Sequence, residues 1–294
     1  MSKYLYSEIF DSVQGEGEYT GYPTAWLRFF LCNLQCNGFG QEDPTDPSTY
    51  QLPYEEIDIT DITSMEELPV WEFGCDSSYS WAKKFKKLQR MGTPLEIANR
   101  IKDSFENDFN EGKWLDRHLC FTGGEPLMKH AQQCSMDIMK QYIAERDFPR
   151  YVTYETNGTQ PITVDGFVDF WKEYRDVWGG ELFISCSPKL WSVAGEKAKR
   201  AIKPDVVHSY MEFASKGQLK FVCNGTEEAW NEIEHVTEQF RYYNVDWPVW
   251  IMPVGATVEG QKICDADVAT EAFKRGYRVS ARVHTYIWGN IIGV

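Results

Sequence analysis

Short apolar runs rich in aromatic and β-branched residues recur along the chain at 24–30, 117–121, 151–155, 182–186, 218–223, 248–252 and 277–282. Most are separated by stretches with helical periodicity, at 132–146, 165–174, 226–240 and 265–275. This alternation is the strongest constraint on the fold. A strand followed by a helix and another strand returns in the same direction, so the sheet is expected to be parallel, with right-handed crossovers. About six such units predict an α/β fold, a partial (βα)6-type TIM-like barrel.

One further helix has a clear start. Thr93 is placed to cap it, Pro94 suits its first position, and Glu96 completes a capping box. Leu95, Ala98, Ile101 and Phe105 then share one face. Segment 37–74 breaks the pattern: 41–48 is rich in turn residues and 55–68 is acidic with little periodicity. The expectation is one domain over 1–294 carrying an irregular insertion at 37–74.

In parallel α/β architectures chemistry gathers where strands end, because loops there vary around a fixed frame. Polar clusters lie at those points: Cys32, Thr122-Gly-Gly-Glu-Pro126, Glu155-Thr-Asn-Gly158 and Ser185-Cys-Ser-Pro-Lys189.

A formal net charge of −14 repels phosphate backbones and anionic lipid, which argues against nucleic acid or membrane as partner. No apolar run approaches the roughly 20 residues that span a bilayer, and the first residues lack a long apolar signal segment, so a cytoplasmic location is expected. Eight cysteines in such a compartment are thiols rather than disulfides. Cys120, Cys186 and Cys223 lie in or beside strand-like runs and read as core residues.

Cys32 and Cys36 follow a strand and are three residues apart; Cys75 comes 38 residues further on. Thiolates favour iron–sulfur or zinc centres, and three of them on a four-iron cube leave one iron open to a ligand. The spacing by itself is equally that of loop thiols without a metal. In Thr122-Gly-Gly-Glu-Pro126 the glycines allow close approach to the backbone, and Glu125 offers an acceptor for an ammonium group; a tight strand–helix turn explains the same residues. Gln14-Gly-Glu-Gly17 precedes the first expected strand, so it is no dinucleotide-binding loop. Its Gln14 and Glu16 suit a flat heterocycle with donor and acceptor edges. Arg28 has the fork to hold a carboxylate, or to make a surface ion pair. His284 lies near an apolar C-terminal end, Ile291-Ile-Gly-Val294, that is expected to pack rather than hang in water, with the last carboxylate near the site.

Taken together, Cys32, Cys36, Cys75 and Thr122-Gly-Gly-Glu-Pro126 resemble the radical S-adenosylmethionine (SAM) superfamily. Within it the chain is similar to the 7-carboxy-7-deazaguanine synthase family of the queuosine and 7-deazapurine pathway. The likeness is carried by Glu8-Ile-Phe-Asp-Ser-Val-Gln-Gly-Glu-Gly17, Arg28-Phe-Phe-Leu-Cys-Asn-Leu-Gln-Cys36, Cys75-Asp-Ser-Ser-Tyr-Ser-Trp81, Phe121-Thr-Gly-Gly-Glu-Pro-Leu127, Glu155-Thr-Asn-Gly-Thr159, Ser185-Cys-Ser-Pro-Lys189 and the stretch from Arg282 to the end. Only 37–74 has no counterpart in the common pattern.

The resemblance implies a barrel of the radical SAM kind and a 4Fe–4S cluster on Cys32, Cys36 and Cys75. It implies a SAM site at Gly123, Gly124, Glu125, Asn157, Ser185, Ser187 and Lys189. The pterin substrate would be held by Gln14, Glu16, Arg28, Thr122, His284 and the Val294 carboxylate. Mg²⁺ would bind at Ser77, where the family usually has Thr. The implied reaction is hydrogen abstraction at C6 of 6-carboxy-5,6,7,8-tetrahydropterin by a 5′-deoxyadenosyl radical, with ring contraction and ammonia loss. Flavodoxin or ferredoxin as electron donor and a homodimer are implied as well. The alternatives are a glycyl-radical-enzyme activase, which need not have Gln14-Gly-Glu-Gly17, and a non-catalytic iron–sulfur or zinc binding protein, which leaves the Gly-Gly-Glu-Pro turn unexplained.

Overall fold

The structure, a computed structural model, describes residues 2–289 and 291–293. Its frame is one nine-stranded sheet: β1 Tyr4–Val13, β2 Pro23–Phe29, β3 Arg90–Gly92, β4 His118–Gly123, β5 Tyr151–Thr156, β6 Glu181–Cys186, β7 Lys216–Cys223, β8 Val249–Pro253 and β9 Arg278–Val279. The spatial order is β3-β1-β2-β4-β5-β6-β7-β8-β9. From β2 through β4 to β9 every pairing is parallel. The expected α/β parallel architecture is therefore present, and among the described residues the sheet runs from β3 to β9.

β1 and β3 were not expected, and both pair antiparallel. β1 escapes notice because Ser7, Glu8 and Ser12 are polar yet buried, which hides its alternation. Gln14-Gly-Glu-Gly17 accordingly follows a strand instead of preceding the first one. It leads only into a 3-10 turn at Gly17–Tyr19, so the conclusion that it is no dinucleotide loop is unaffected.

Helices pack the outer face. The Thr93–Glu96 capping box opens the helix Pro94–Phe105, which buries Ile97, Ala98, Ile101 and Phe105. Leu95 lies outside this face and is exposed. Helices Lys129–Ala144, Phe167–Asp176 and Glu227–Tyr242 follow β4, β5 and β7. Their apolar faces cover the outward row of Phe29, Phe121, Tyr154, Ile184, Leu219 and Ile251.

In-register strands place partner side chains on the same face. Glu8 pairs with Arg28, Arg28 with Thr122, Glu155 with Ser185, and Ser185 with Gln218. A Thr122–Glu155 hydrogen bond of 3.3 Å joins the two halves of this row. The inner face therefore carries a polar band across six strands. Below it Tyr19, Tyr22, His118, Tyr151 and Phe183 stack at centroid distances of 4.5–4.9 Å and plug the end at which β4 to β6 begin.

Segment 37–74 leaves and rejoins the frame at one place. Gly74 N–H donates to Phe39 O at 2.7 Å, and a side chain at Gly40 would meet Glu72 O at 2.6 Å. Only Gly tolerates that approach at the observed φ of +71°. Away from this base, Tyr54, Met65, Leu68 and Trp71 form a second core with Tyr79, Phe85, Leu88 and Ile292.

Candidate active site

Above the polar band the inner face opens into a cavity of about 900 Å³. Cys32, Cys36 and Cys75 all reach its wall. Cys32 follows the end of β2, and Cys36 stands in the left-handed region at φ +54°. The loop between them is held by the Glu196 carboxylate, which accepts the N–H groups of Gln35 and Cys36 at 2.7 and 2.9 Å. Cys75 arrives from the other side because the base at Phe39 and Gly74 turns the chain back. Cys32 Sγ accepts Leu34 N–H at 3.4 Å and lies 3.9 Å from Asn157 Nδ2.

All eight cysteines are free thiols. Burial raises each of the three on this wall: Cys32 to about 12, with help from the Glu125 charge, Cys36 well above the ordinary range, and Cys75 through burial and then Asp76. A metal would have to supply the charge that ionises them. Among the described residues no preformed group of three metal-binding side chains is gathered. What the fold brings together is three thiols lining one cavity, with Leu34 N–H and Asn157 Nδ2 at Cys32 Sγ, a donor set that suits an iron–sulfur cluster.

The Gly123–Gly124 turn lies against this wall for a steric reason. Gly123 has φ +143°, and a side chain there would meet Phe29 O at 2.4 Å; one at Gly124 would meet Leu31 O at 2.2 Å and Cys32 Cβ at 2.9 Å. The glycines thus let β4 lie against the cysteine loop. Glu125 is fully buried behind them. Its carboxylate accepts Leu127 N–H at 2.9 Å, Thr156 Oγ1–H at 2.7 Å and Asn157 N–H at 2.8 Å, tying the end of β4 to the end of β5. Burial nevertheless pushes it up to about 7. The remaining residues expected at the SAM site, Asn157, Ser185, Ser187 and Lys189, reach the cavity. Lys189 Nζ donates to Ser187 Oγ at 2.9 Å and sits 5.6 Å over the ring of Phe39.

Opposed charges fill the other part of the cavity. Arg28 Nε donates to Glu8 Oε1 at 2.5 Å, and Tyr79 O–H donates to the same oxygen at 2.8 Å. Among the described residues nothing donates to Glu8 Oε2. Glu16 is held by Lys220 and by Arg282 Nε at 3.1 Å; Arg282 also pairs with Asp76 at 2.9 Å. Burial alone would raise Glu16, but attraction to Lys220 and then Arg282 outweighs it and holds the carboxyl far below its usual range. Gln14 Nε2 donates weakly to Glu155 Oε1 at 3.4 Å, while Gln14 Oε1 accepts Glu16 N–H at 3.1 Å. His284 is lowered to about 4 by burial and then by Arg282, so it is neutral at pH 7.

Of the expected residues, Gln14, Glu16, Arg28, Thr122 and His284 share this cavity with the thiols, and Ser77 lies on its wall with Oγ 3.6 Å from Cys75 Sγ. Val294 lies outside the described residues. Glu125 is the one described residue of the expected set that does not line the cavity. Sequence reasoning missed Glu8, Asp76, Glu155, Lys220, Arg282 and Glu196 as working parts. Lys220 had a signal: a cation inside the apolar run of β7.

No family model matches the chain. Three curated relatives named 7-carboxy-7-deazaguanine synthase are similar over nearly its whole length. The protein of Thermoplasma acidophilum is 26% identical over 99% of this chain and 100% of its own. That of Halobacterium salinarum is 26% identical over 97% and 90%, and that of Rickettsia prowazekii 22% over 95% and 86%. The chain is thus similar to this family from one end to the other. Its fold is that of the crystal structure of QueE from Escherichia coli, with a TM-score of 0.51 and 16% identity over 96% of this chain and 95% of that one.

Proposed function

We propose that the chain is a radical SAM carbon–nitrogen lyase that converts 6-carboxy-5,6,7,8-tetrahydropterin to 7-carboxy-7-deazaguanine and ammonia. The observation that carries this is the shared cavity: three thiols, the Gly123–Gly124 turn and a field of buried opposed charges face one space of about 900 Å³. An interior lined by ion pairs favours a small polar heterocycle over an apolar segment of a partner protein, which weighs against a glycyl-radical activase.

Cys32, Cys36 and Cys75 would hold the 4Fe–4S cluster, and Gly123, Gly124, Asn157, Ser185, Ser187 and Lys189 would receive SAM beside it. Glu125 would act from behind by fixing that turn. Together the cluster and SAM supply one-electron, hydrogen-abstracting chemistry. The chain's own residues orient and exclude. Arg28, already aligned by Glu8, presents its remaining N–H groups to the substrate carboxylate. Gln14, Glu16, Thr122 and neutral His284 offer fixed donors and acceptors to the ring edges. Ser77 offers one oxygen to Mg²⁺, whose other ligands would come from substrate and water.

The same reading takes 37–74 as an insertion in one radical SAM domain. It takes a flavodoxin or ferredoxin as electron donor, a homodimer as assembly and the cytoplasm as location; no helix among the described residues is long and apolar enough to cross a membrane.

The test is anaerobic reconstitution followed by incubation with SAM, a reductant, Mg²⁺ and 6-carboxytetrahydropterin. Mass spectrometry should show 7-carboxy-7-deazaguanine. SAM cleavage with no deazaguanine product from a fully loaded chain would sink the substrate assignment.

A further inference from the structure

The second core has an unexpected member. Of the apolar residues near the C-terminal end, Tyr286, Ile287 and Ile291 are exposed, and Ile291 is 60% accessible. Ile292 is only 9% accessible, and it belongs to the second core, with Tyr54, Met65, Leu68 and Trp71 of the 37–74 segment and Tyr79, Ala82, Phe85 and Leu88 just after it, rather than to the main core. The next residue, Gly293, lies at a junction: a side chain there would come within 3.8 Å of Glu66 Cγ, in the inserted segment, and 4.0 Å of Glu8 Oε2, in the cavity. Ile292 and Gly293 both line that cavity.

Tyr79 makes the same connection from below. Its ring belongs to the second core, while its hydroxyl donates to the Glu8 oxygen that also receives Arg28. The second core, to which the inserted segment contributes four side chains, therefore touches the charged end of the cavity twice, through Ile292 and the next residue and through Tyr79.

We propose that the 37–74 segment is a clasp: its core grips Ile292 and so holds the tail at Ile292 and Gly293 as a wall of the cavity beside Glu8 and Arg28. The part of the proposal that concerns substrate rests on the reading of this cavity as the pterin site. The clasp itself rests on burial and contact. Among the described residues beyond Gly289, Ile292 is the buried apolar anchor, and removing its side chain forfeits most of the buried area holding that stretch.

The experiment measures hydrogen exchange of residues 289–293 in the reconstituted full chain, together with 6-carboxytetrahydropterin binding by calorimetry without reductant. Met65→Ala, in the inserted segment, and Ile292→Ala, in the tail, should each speed exchange of the tail about tenfold or more, as expected for loss of a buried apolar contact. The double variant should be no worse than the stronger single one, since both remove one grip. Ile292→Leu should restore protection. Pterin affinity should fall about tenfold in both alanine variants, with thermal stability nearly unchanged for Ile292→Ala. Unaltered tail exchange in Met65→Ala would overturn the clasp. A released tail with unaltered pterin affinity would overturn its role as a wall. If the unmodified chain binds no pterin, the substrate reading fails, and tail exchange alone then decides the clasp.

Discussion

Gly74 N–H donates to Phe39 O at 2.7 Å, so the residue before Cys75 is bound to the third residue after Cys36. Two cysteines distant in sequence reach the same cavity through this contact. Gly40→Val should disturb it, because the side chain would enter the space of Glu72 O at a backbone angle that costs a β-branched residue about 1–3 kcal/mol. The variant is expected to fold, and to retain much less iron and sulfide after reconstitution. Full iron content would show that the base does not position Cys75.

The Gly124 position predicts a parallel loss from the other side. Gly124→Ala places a methyl group 2.9 Å from Cys32 Cβ and closer still to Leu31 O. Reconstituted iron should fall and Tm should drop, whereas alanine at exposed Gly166's neighbour Asp165 should do neither. Iron content and calorimetry measure both.

For Arg28 the expected effect is on binding. Arg28→Ala should raise KM for the pterin about tenfold to hundredfold, the loss expected for charge-assisted hydrogen bonds worth about 1.5–3 kcal/mol. Slow SAM cleavage should persist. Arg28→Lys keeps the charge but not the planar fork and should recover little. Unchanged KM in Arg28→Ala would remove this residue from the substrate site.

Lys220→Met tests the buried pair with Glu16. Glu16's depressed pKa means that its pairing stabilises the fold above the ordinary carboxylate range and loses that effect as pH falls through the lower folded value. Breaking a buried pair costs about 3–5 kcal/mol, lessened here because Arg282 remains. The Tm difference between the variant and the unmodified chain should therefore be largest near neutral pH and should shrink in acid, where Glu16 of the variant takes up a proton. A difference independent of pH would refute the assignment.

His284 predicts a slope of its own. Its folded pKa lies near 4, below the ordinary 6.5, so between those values the unfolded chain binds a proton that the folded chain refuses. Stability should fall as pH drops through that window, and His284→Gln should flatten the slope. Calorimetry from pH 7 to 4 measures it.

The parallel sheet and its helices were legible because periodicity and capping speak directly: Thr93 caps where expected, and β2 and β4 to β8 lie within a few residues of their apolar runs. β1 was not, because Ser7, Glu8 and Ser12 are buried polar residues in a paired strand, and a buried polar side chain looks in sequence like an exposed one. Lys220 and Asp76 went unread for another reason: their partners, Glu16 and Arg282, lie far along the chain. Glu125 was legible as an important residue, but its neighbours did not reveal that its carboxylate would face inward to Thr156 and Asn157. Ile292 could not have been foreseen as a member of a core built largely by residues more than 200 positions earlier.

Among the described residues the sheet ends at β9 without meeting β1 by strand pairing, and that gap is crossed by later residues: Arg282 reaches Glu16, Val283 N–H donates to Gly15 O, and Ile292 enters the second core. Every strand thus leaves the ribosome before the residues that span the seam. A nascent chain with all nine strands can already fold as a layered body, yet its charged pocket still lacks one side. Binding competence waits on residues 282–293, after the bulk of the hydrophobic collapse.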